Sequence, residues 1–94
     1  MLWWLFLSSA GAPTRTRIVR ALRDEPRNAQ QLSVALQLDY TTVRHHLEVL
    51  TRNRLLETGG DRYGQLYFLS PTLEERWADL EAVTARRVTR PGVP

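Results

Sequence analysis

From Asn28 to Leu56 the apolar residues recur at helical spacing in two runs, separated only by Leu38 and Asp39. Asn28 suits a helix N-cap, since its side-chain oxygen can accept from a free backbone N–H. The helix it opens places Leu32, Ala35 and Leu36 inward and Gln30, Gln31 and Ser33 largely outward, and ends near Gln37. Asp39 can cap a second helix from Tyr40 to about Asn53. At about 100° per residue, Val43, Leu47 and Leu50 share one face with His46 at its edge, while Thr41, Arg44, His45, Glu48 and Arg52 fall opposite. Two helices joined by so short a turn must lean on neighbouring elements. The polar face of the second is then left free.

Those neighbours are legible on both sides. Pro13 or Thr14 opens a helix reaching Asp24, with Ile18, Ala21, Leu22 and Val19 on its apolar face and Arg15, Arg17, Arg20 and Arg23 decorating the rest; Pro26 stops it. Downstream, Leu55 to Thr58 and Gln65 to Leu69 are β-rich, and the residues between them, Gly59, Gly60, Asp61, Arg62, Tyr63 and Gly64, make a turn. Pro71 and Thr72 start a last helix with an apolar stripe of Leu73, Trp77, Leu80 and Val83 or Thr84 against Glu74, Glu75, Asp79, Glu81 and Arg86. Before all of these stands an apolar run, Leu2 to Leu7, read as a short helix ending at the small-residue joint around Gly11. The expected division is therefore an apolar N-terminal helix and joint (1–12), a central domain (13–70), a C-terminal helix (71–88) and a flexible tail (89–94).

Composition limits the chemistry. A chain of 94 residues supports one small core. Its 13 basic residues are all Arg, and the formal net charge of +3 suits a polyanion if they cluster on one face. The chain holds no Cys, which excludes disulfides, thiolate metal sites and thiol nucleophiles. The apolar run at residues 2–7 falls far short of the roughly 20 residues a membrane-spanning helix needs, and it has no preceding basic stretch of a signal peptide.

Three helices followed by a β-hairpin is the order of a winged helix. The expected fold is mainly α with a small β-hairpin, a winged helix-turn-helix with an extra N-terminal apolar helix and a C-terminal helix. The stretch from Asp39 to Leu50, with Thr42, Val43, His46, Leu47 and Leu50 in the pattern Thr-Val-x-x-His-Leu-x-x-Leu, followed by Asn53, Arg54, Leu55, Leu56 and Glu57, resembles the ArsR-type winged helix-turn-helix regulators, particularly archaeal ones. The resemblance covers about Thr14 to Leu69. It implies a sequence-specific double-stranded DNA-binding transcription regulator, a homodimeric repressor by family habit, acting in the cytoplasm.

The residues themselves support that chemistry. A helix that enters a major groove about 12 Å wide must be apolar on the held side and polar on the reading side. Arg44 can bridge two acceptors of a guanine. Thr41 and Thr42 can reach a base edge or phosphate, His45 and Arg52 share their face, and Tyr40 can reach the backbone. Arg62 and Tyr63 resemble wing residues that lie along the backbone or minor groove, where Arg62 neutralises a phosphate. Gln30 and Gln31, with Arg27, flank a helix N-terminus that can add a phosphate contact. His46, beside the apolar stripe, is assigned to packing and hydrogen bonding. Adjacent helical residues point about 100° apart, so His45 and His46 do not suit one shared ion, and no metal or cofactor is expected.

One reading helix offers few contacts, and a two-fold dimer on paired half-sites is the usual remedy. The candidate dimerisation residues are Trp3, Trp4, Phe6 and Leu7 of the N-terminal run and Trp77 and Leu80 of the last helix. The alternative reading is a protein-interaction or membrane-proximal winged-helix module, with residues 2–7 as an interfacial contact. An enzyme is not expected, because the chain has no thiol, phosphate-cradling Gly loop or metal-ligand spacing.

Overall fold

The computed structural model describes residues 3–7, 10–61 and 64–88. Six helices and one hairpin follow in order: α1 (Trp4–Leu7), α2 (Ala12–Asp24), α3 (Ala29–Leu36), α4 (Tyr40–Arg52), β1 (Leu56–Asp61), β2 (Gly64–Leu69), α5 (Pro71–Glu75) and α6 (Trp77–Val88). The winged helix-turn-helix architecture is the one expected, mostly helical with a two-stranded antiparallel sheet.

Helices α2, α3 and α4 close around Ile18, Val19, Leu22, Leu32, Val43, Leu47 and Leu50, all buried. Each such side chain contributes about 1.5–3 kcal/mol through burial. Sequence capping is realised in detail. The Asn28 Oδ1 accepts from the Gln31 backbone N–H at 2.7 Å while the Gln31 Oε1 accepts from the Asn28 N–H at 2.8 Å, a reciprocal capping box. Asp39 Oδ2 accepts from the Thr42 N–H at 3.0 Å and starts α4. Between them Gln37 adopts a left-handed conformation (φ 55°), which ends α3 and sets the tight turn. Ala35, expected inward, is exposed, and Leu36 is half-buried. The end of α3 stands off α2 there, where the Arg17 guanidinium donates to the Leu36 carbonyl at 2.8 Å.

The hairpin turns more sharply than expected. Gly59 and Gly60 are not in the turn; they belong to β1 and pair with Leu66 and Gln65. Gly60 has φ 109°, and a Cβ there would lie 2.4 Å from the Gly64 carbonyl oxygen, so the position excludes other residues. Arg27 adds an isolated antiparallel bridge to Tyr67, with N–H···O distances of 3.2 and 2.8 Å, which ties the entry to α3 onto β2.

The expected single last helix is broken at Arg76. Its backbone leaves the helical region (φ −103°, ψ 18°), and its N–H is shared by the Thr72 and Leu73 carbonyls at 3.2 and 3.1 Å, a tightened end to α5. The stripe survives the break, since Leu73, Trp77, Leu80 and Thr84 are all buried. Helix α6 is held to α2 by Arg20, whose guanidinium meets the Glu81 carboxylate at 3.3 Å, and by Arg23 stacked 4.7 Å from the centre of the Trp77 ring. Trp77 Nε1 donates to the same Glu81 at 3.0 Å.

The N-terminal run is largely a core element. Leu5 and Phe6 are fully buried, Trp3 packs against the core, and among the described residues of the run Trp4 and Leu7 alone are exposed, at 52% and 38%. Arg15, expected on the solvent side of α2, is buried at 7% exposure and donates through Nη1 to the Leu5 carbonyl at 3.1 Å, so it joins α2 to α1. No helix among the described residues is long and apolar enough to cross a membrane. The expected flexible tail, 89–94, lies outside the described residues.

Candidate nucleic-acid interface

With Val43, Leu47 and Leu50 held inside, α4 turns Tyr40, Thr41, Thr42, Arg44, His45, Glu48 and Arg52 outward, and all are exposed. The face is therefore polar along its whole length. Arg44 is its most ordered cation. Its Nη1 donates to the Tyr40 hydroxyl oxygen at 3.3 Å, its guanidinium carbon lies 6.0 Å from the centre of the Tyr40 ring, and its Nη2 lies 3.9 Å from Glu48. The Tyr40 hydrogen bond, followed by that residue's charge, moves the Arg44 pKa above its already high ordinary value. The guanidinium stays charged at any working pH. Its partners are solvated and weak, so an acceptor in a groove can replace them.

The first turns of α3 and α4 and the start of β2 enclose a cleft of about 190 Å³, lined by Asn28, Gln30, Tyr40, Arg44, Gln65 and Tyr67 among others. Gln30 is exposed at its rim. Gln31 is placed differently from expectation: its side-chain carbonyl is committed to the capping box, which makes it a builder of the α3 N-terminus. Arg27 is half-buried, with Nη2 3.5 Å from Glu25. A second, larger groove of about 440 Å³ separates the later turns of α4 from the hairpin, with Arg52, Glu48, Thr58 and Gln65 on its walls.

Gln65 stands in both grooves, between the reading helix and the wing, and sequence reasoning missed it. The signal was present in the strand alternation, which sets Gln65 on the same side of β2 as Tyr67 and Leu69. Arg62 and Tyr63, the expected wing contacts, lie outside the described residues; the strands deliver the chain to that tip at Asp61 and Gly64.

The two adjacent histidines separate as helical geometry requires. His45 is exposed, while His46 is buried at 7% exposure with its ring 5.3 Å from that of His45 in an edge-on arrangement. His46 is packed as expected, but its Nδ1 is buried without a hydrogen-bond partner among the described residues. Burial first, then the positive charge of Arg15 and then His45, push its pKa below the ordinary histidine value.

Of the six candidate dimerisation residues, Phe6, Trp77 and Leu80 are consumed by the chain's own core and Trp3 is half-buried against it. Trp4 and Leu7 alone among them face solvent. An aromatic run reads the same in sequence whether it closes a core or a dimer, so this distinction was not available there.

Comparison with known proteins follows the same outline. The family model described as bacterial regulatory protein, arsR family, matches residues 12–58. No curated protein sequence matches the chain. Among solved structures, HlyU from Vibrio cholerae is 30% identical, with a TM-score of 0.64 over 85% of this chain and 84% of that one. The transcriptional regulator HlyU from Vibrio vulnificus is 25% identical, with a TM-score of 0.64 over 78% and 74%. The homodimeric winged helix-turn-helix DNA-binding domain of Mb0332 from Mycobacterium bovis, a possible ArsR-family regulator, shares the fold at 18% identity, with a TM-score of 0.70 over 87% and 77%.

Proposed function

The chain belongs to the arsR family of bacterial regulatory proteins, whose model spans α2 to β1, and from that premise we propose that it is a homodimeric repressor that binds specific double-stranded DNA. The observation that carries the proposal is α4: a helix anchored by three buried aliphatic side chains, with Thr41, Thr42, Arg44 and His45 turned outward over its first turns. The N-terminal end of such a helix contacts base edges in the major groove.

In this reading Arg44 gives up Glu48 and forks onto a guanine, worth about 1–3 kcal/mol of discrimination. Thr41, Thr42 and His45 take neighbouring base edges or phosphates, and Arg52 follows the backbone. Gln30 and Tyr40 border the cleft at the α3 N-terminus, which takes a phosphate, with Gln31 shaping that N-terminus through the capping box. The hairpin tip, with Arg62 and Tyr63, lies on the backbone or minor groove. Repression follows from occupying promoter DNA.

The second copy is placed against α1. Trp4 and Leu7 are a large exposed apolar pair, and α1 itself rests on α2 and α6. Phe6, Trp77 and Leu80 back that surface from inside.

The test is fluorescence anisotropy of mixed-sequence duplex DNA across a salt series, comparing wild type with Arg44→Ala. The proposal expects binding that weakens steeply with salt and further with the substitution. Absence of binding even at low salt would instead favour the protein-interaction reading.

A further inference from the structure

The buried face of α4 carries a feature that DNA reading does not use. His46 sits at the junction of α4, α2 and the joint that follows α1, within a contact so close that a Cβ on Gly11 would lie 2.5 Å from His46 Cε1 and 3.1 Å from the Arg15 guanidinium. Arg15 is itself buried and donates to the Leu5 carbonyl of α1 at 3.1 Å. His46 of the reading helix and Arg15 thus converge on Gly11, and Arg15 reaches on to the N-terminal helix. We propose that His46 is a proton-sensitive latch, whose protonation sets a second cation against Arg15 and releases α1 from its seat on α2.

The electrostatics have one sign. Helix α1 contributes no ionisable side chain, and neither does α3, which packs on α4. From α2 the charge that reaches His46 is Arg15, and from α4 itself it is His45; both are cationic when charged. Among the described residues no carboxylate opposes them at the ring: Glu57 of β1, which also packs on α4, is exposed, and the buried Nδ1 finds no acceptor that would favour a bound proton. The docked state therefore holds His46 neutral, and the released state accepts the proton. As pH falls below about 6.5, the ordinary histidine value, the released population rises.

Arg15 cannot yield by deprotonating, because a guanidinium stays charged even where burial lowers its pKa. The yielding part is its bond to Leu5. Losing it weakens the seat of α1, which carries Trp4 and Leu7. The latch is a property of the monomer junction; a consequence for DNA binding rests on the dimer and reading helix proposed above.

Nuclear magnetic resonance of the full chain without DNA, from pH 7.5 to 5.0, tests it. The Cε1–H signal of His46 gives its titration, and the backbone amides of Leu5 and Phe6 report α1. The expected result is that His46 titrates below the ordinary histidine value of about 6.5, that the α1 amides lose protection along the His46 curve, by several-fold or more, and that His46→Gln abolishes their response. Amides of α1 that stay unchanged while His46 titrates would overturn the proposal, as would His46 titrating at or above about 6.5, or an undiminished response in His46→Gln. Should that variant not fold, the wild-type curves of His46 and of the α1 amides still decide. Because DNA is absent, failure here leaves the DNA-binding reading standing.

Discussion

Arg44 stands on the reading face between two partners on its own helix, a tyrosine hydroxyl and a carboxylate one turn to either side. Replacing it with Ala should lower affinity for a selected duplex by about 1–3 kcal/mol, with the urea midpoint of unfolding moved little, because no buried contact is lost. Anisotropy and denaturation on the same sample separate the two effects. Gly11 is the opposite case, a residue with no chemistry whose importance is geometric. Gly11→Ala should destabilise the fold, by about 1–3 kcal/mol if His46 and Arg15 must shift to admit the methyl group, read as a drop in Tm. Helical spacing alone exposed Arg44, His45 and Arg52 correctly. It could not bury Arg15, because the partner that draws that side chain inward is a carbonyl ten residues away on another helix.

At the level of elements, the turn between α3 and α4 is fixed by caps that are local in sequence, which is why both helix starts were readable there. Asn28→Ala removes the side-chain acceptor of the capping box and should cost about 1 kcal/mol of stability, measured by thermal or urea denaturation. The hairpin is governed differently. Its glycines suggested a wide turn, whereas six paired positions run on to Asp61 and Gly64, and only the cross-strand ladder reveals that register. Gly60→Ala should strain a backbone held at φ 109° against the Gly64 carbonyl, raising amide exchange along β1 and β2 while leaving α2 to α4 folded; unchanged exchange would show that the hairpin relaxes freely. Gln65, standing between helix and wing, was missed for the same reason: its meaning depends on what packs opposite. The break at Arg76 likewise has no Pro or Gly to announce it.

For the whole molecule, the described residues of the N-terminal apolar run divide their labour. Leu5 and Phe6 complete the monomer, and Trp4 and Leu7 form the outer surface assigned to a second copy. Replacing both with Arg should convert a dimer to a folded monomer in sedimentation velocity, with circular dichroism unchanged; a dimer that survives would move the interface elsewhere. A dimer sets two copies of α4 on one face of a duplex, and its sites should be two-fold symmetric with half-sites about one helical turn, roughly 34 Å, or a whole multiple apart. Selection of bound duplexes from a random pool by the full chain, with affinity then followed across salt, measures this most directly. The account predicts an enriched palindrome whose binding weakens steeply as salt rises and is lost to Arg44→Ala. A pool that stays random after repeated selection at low salt would contradict it.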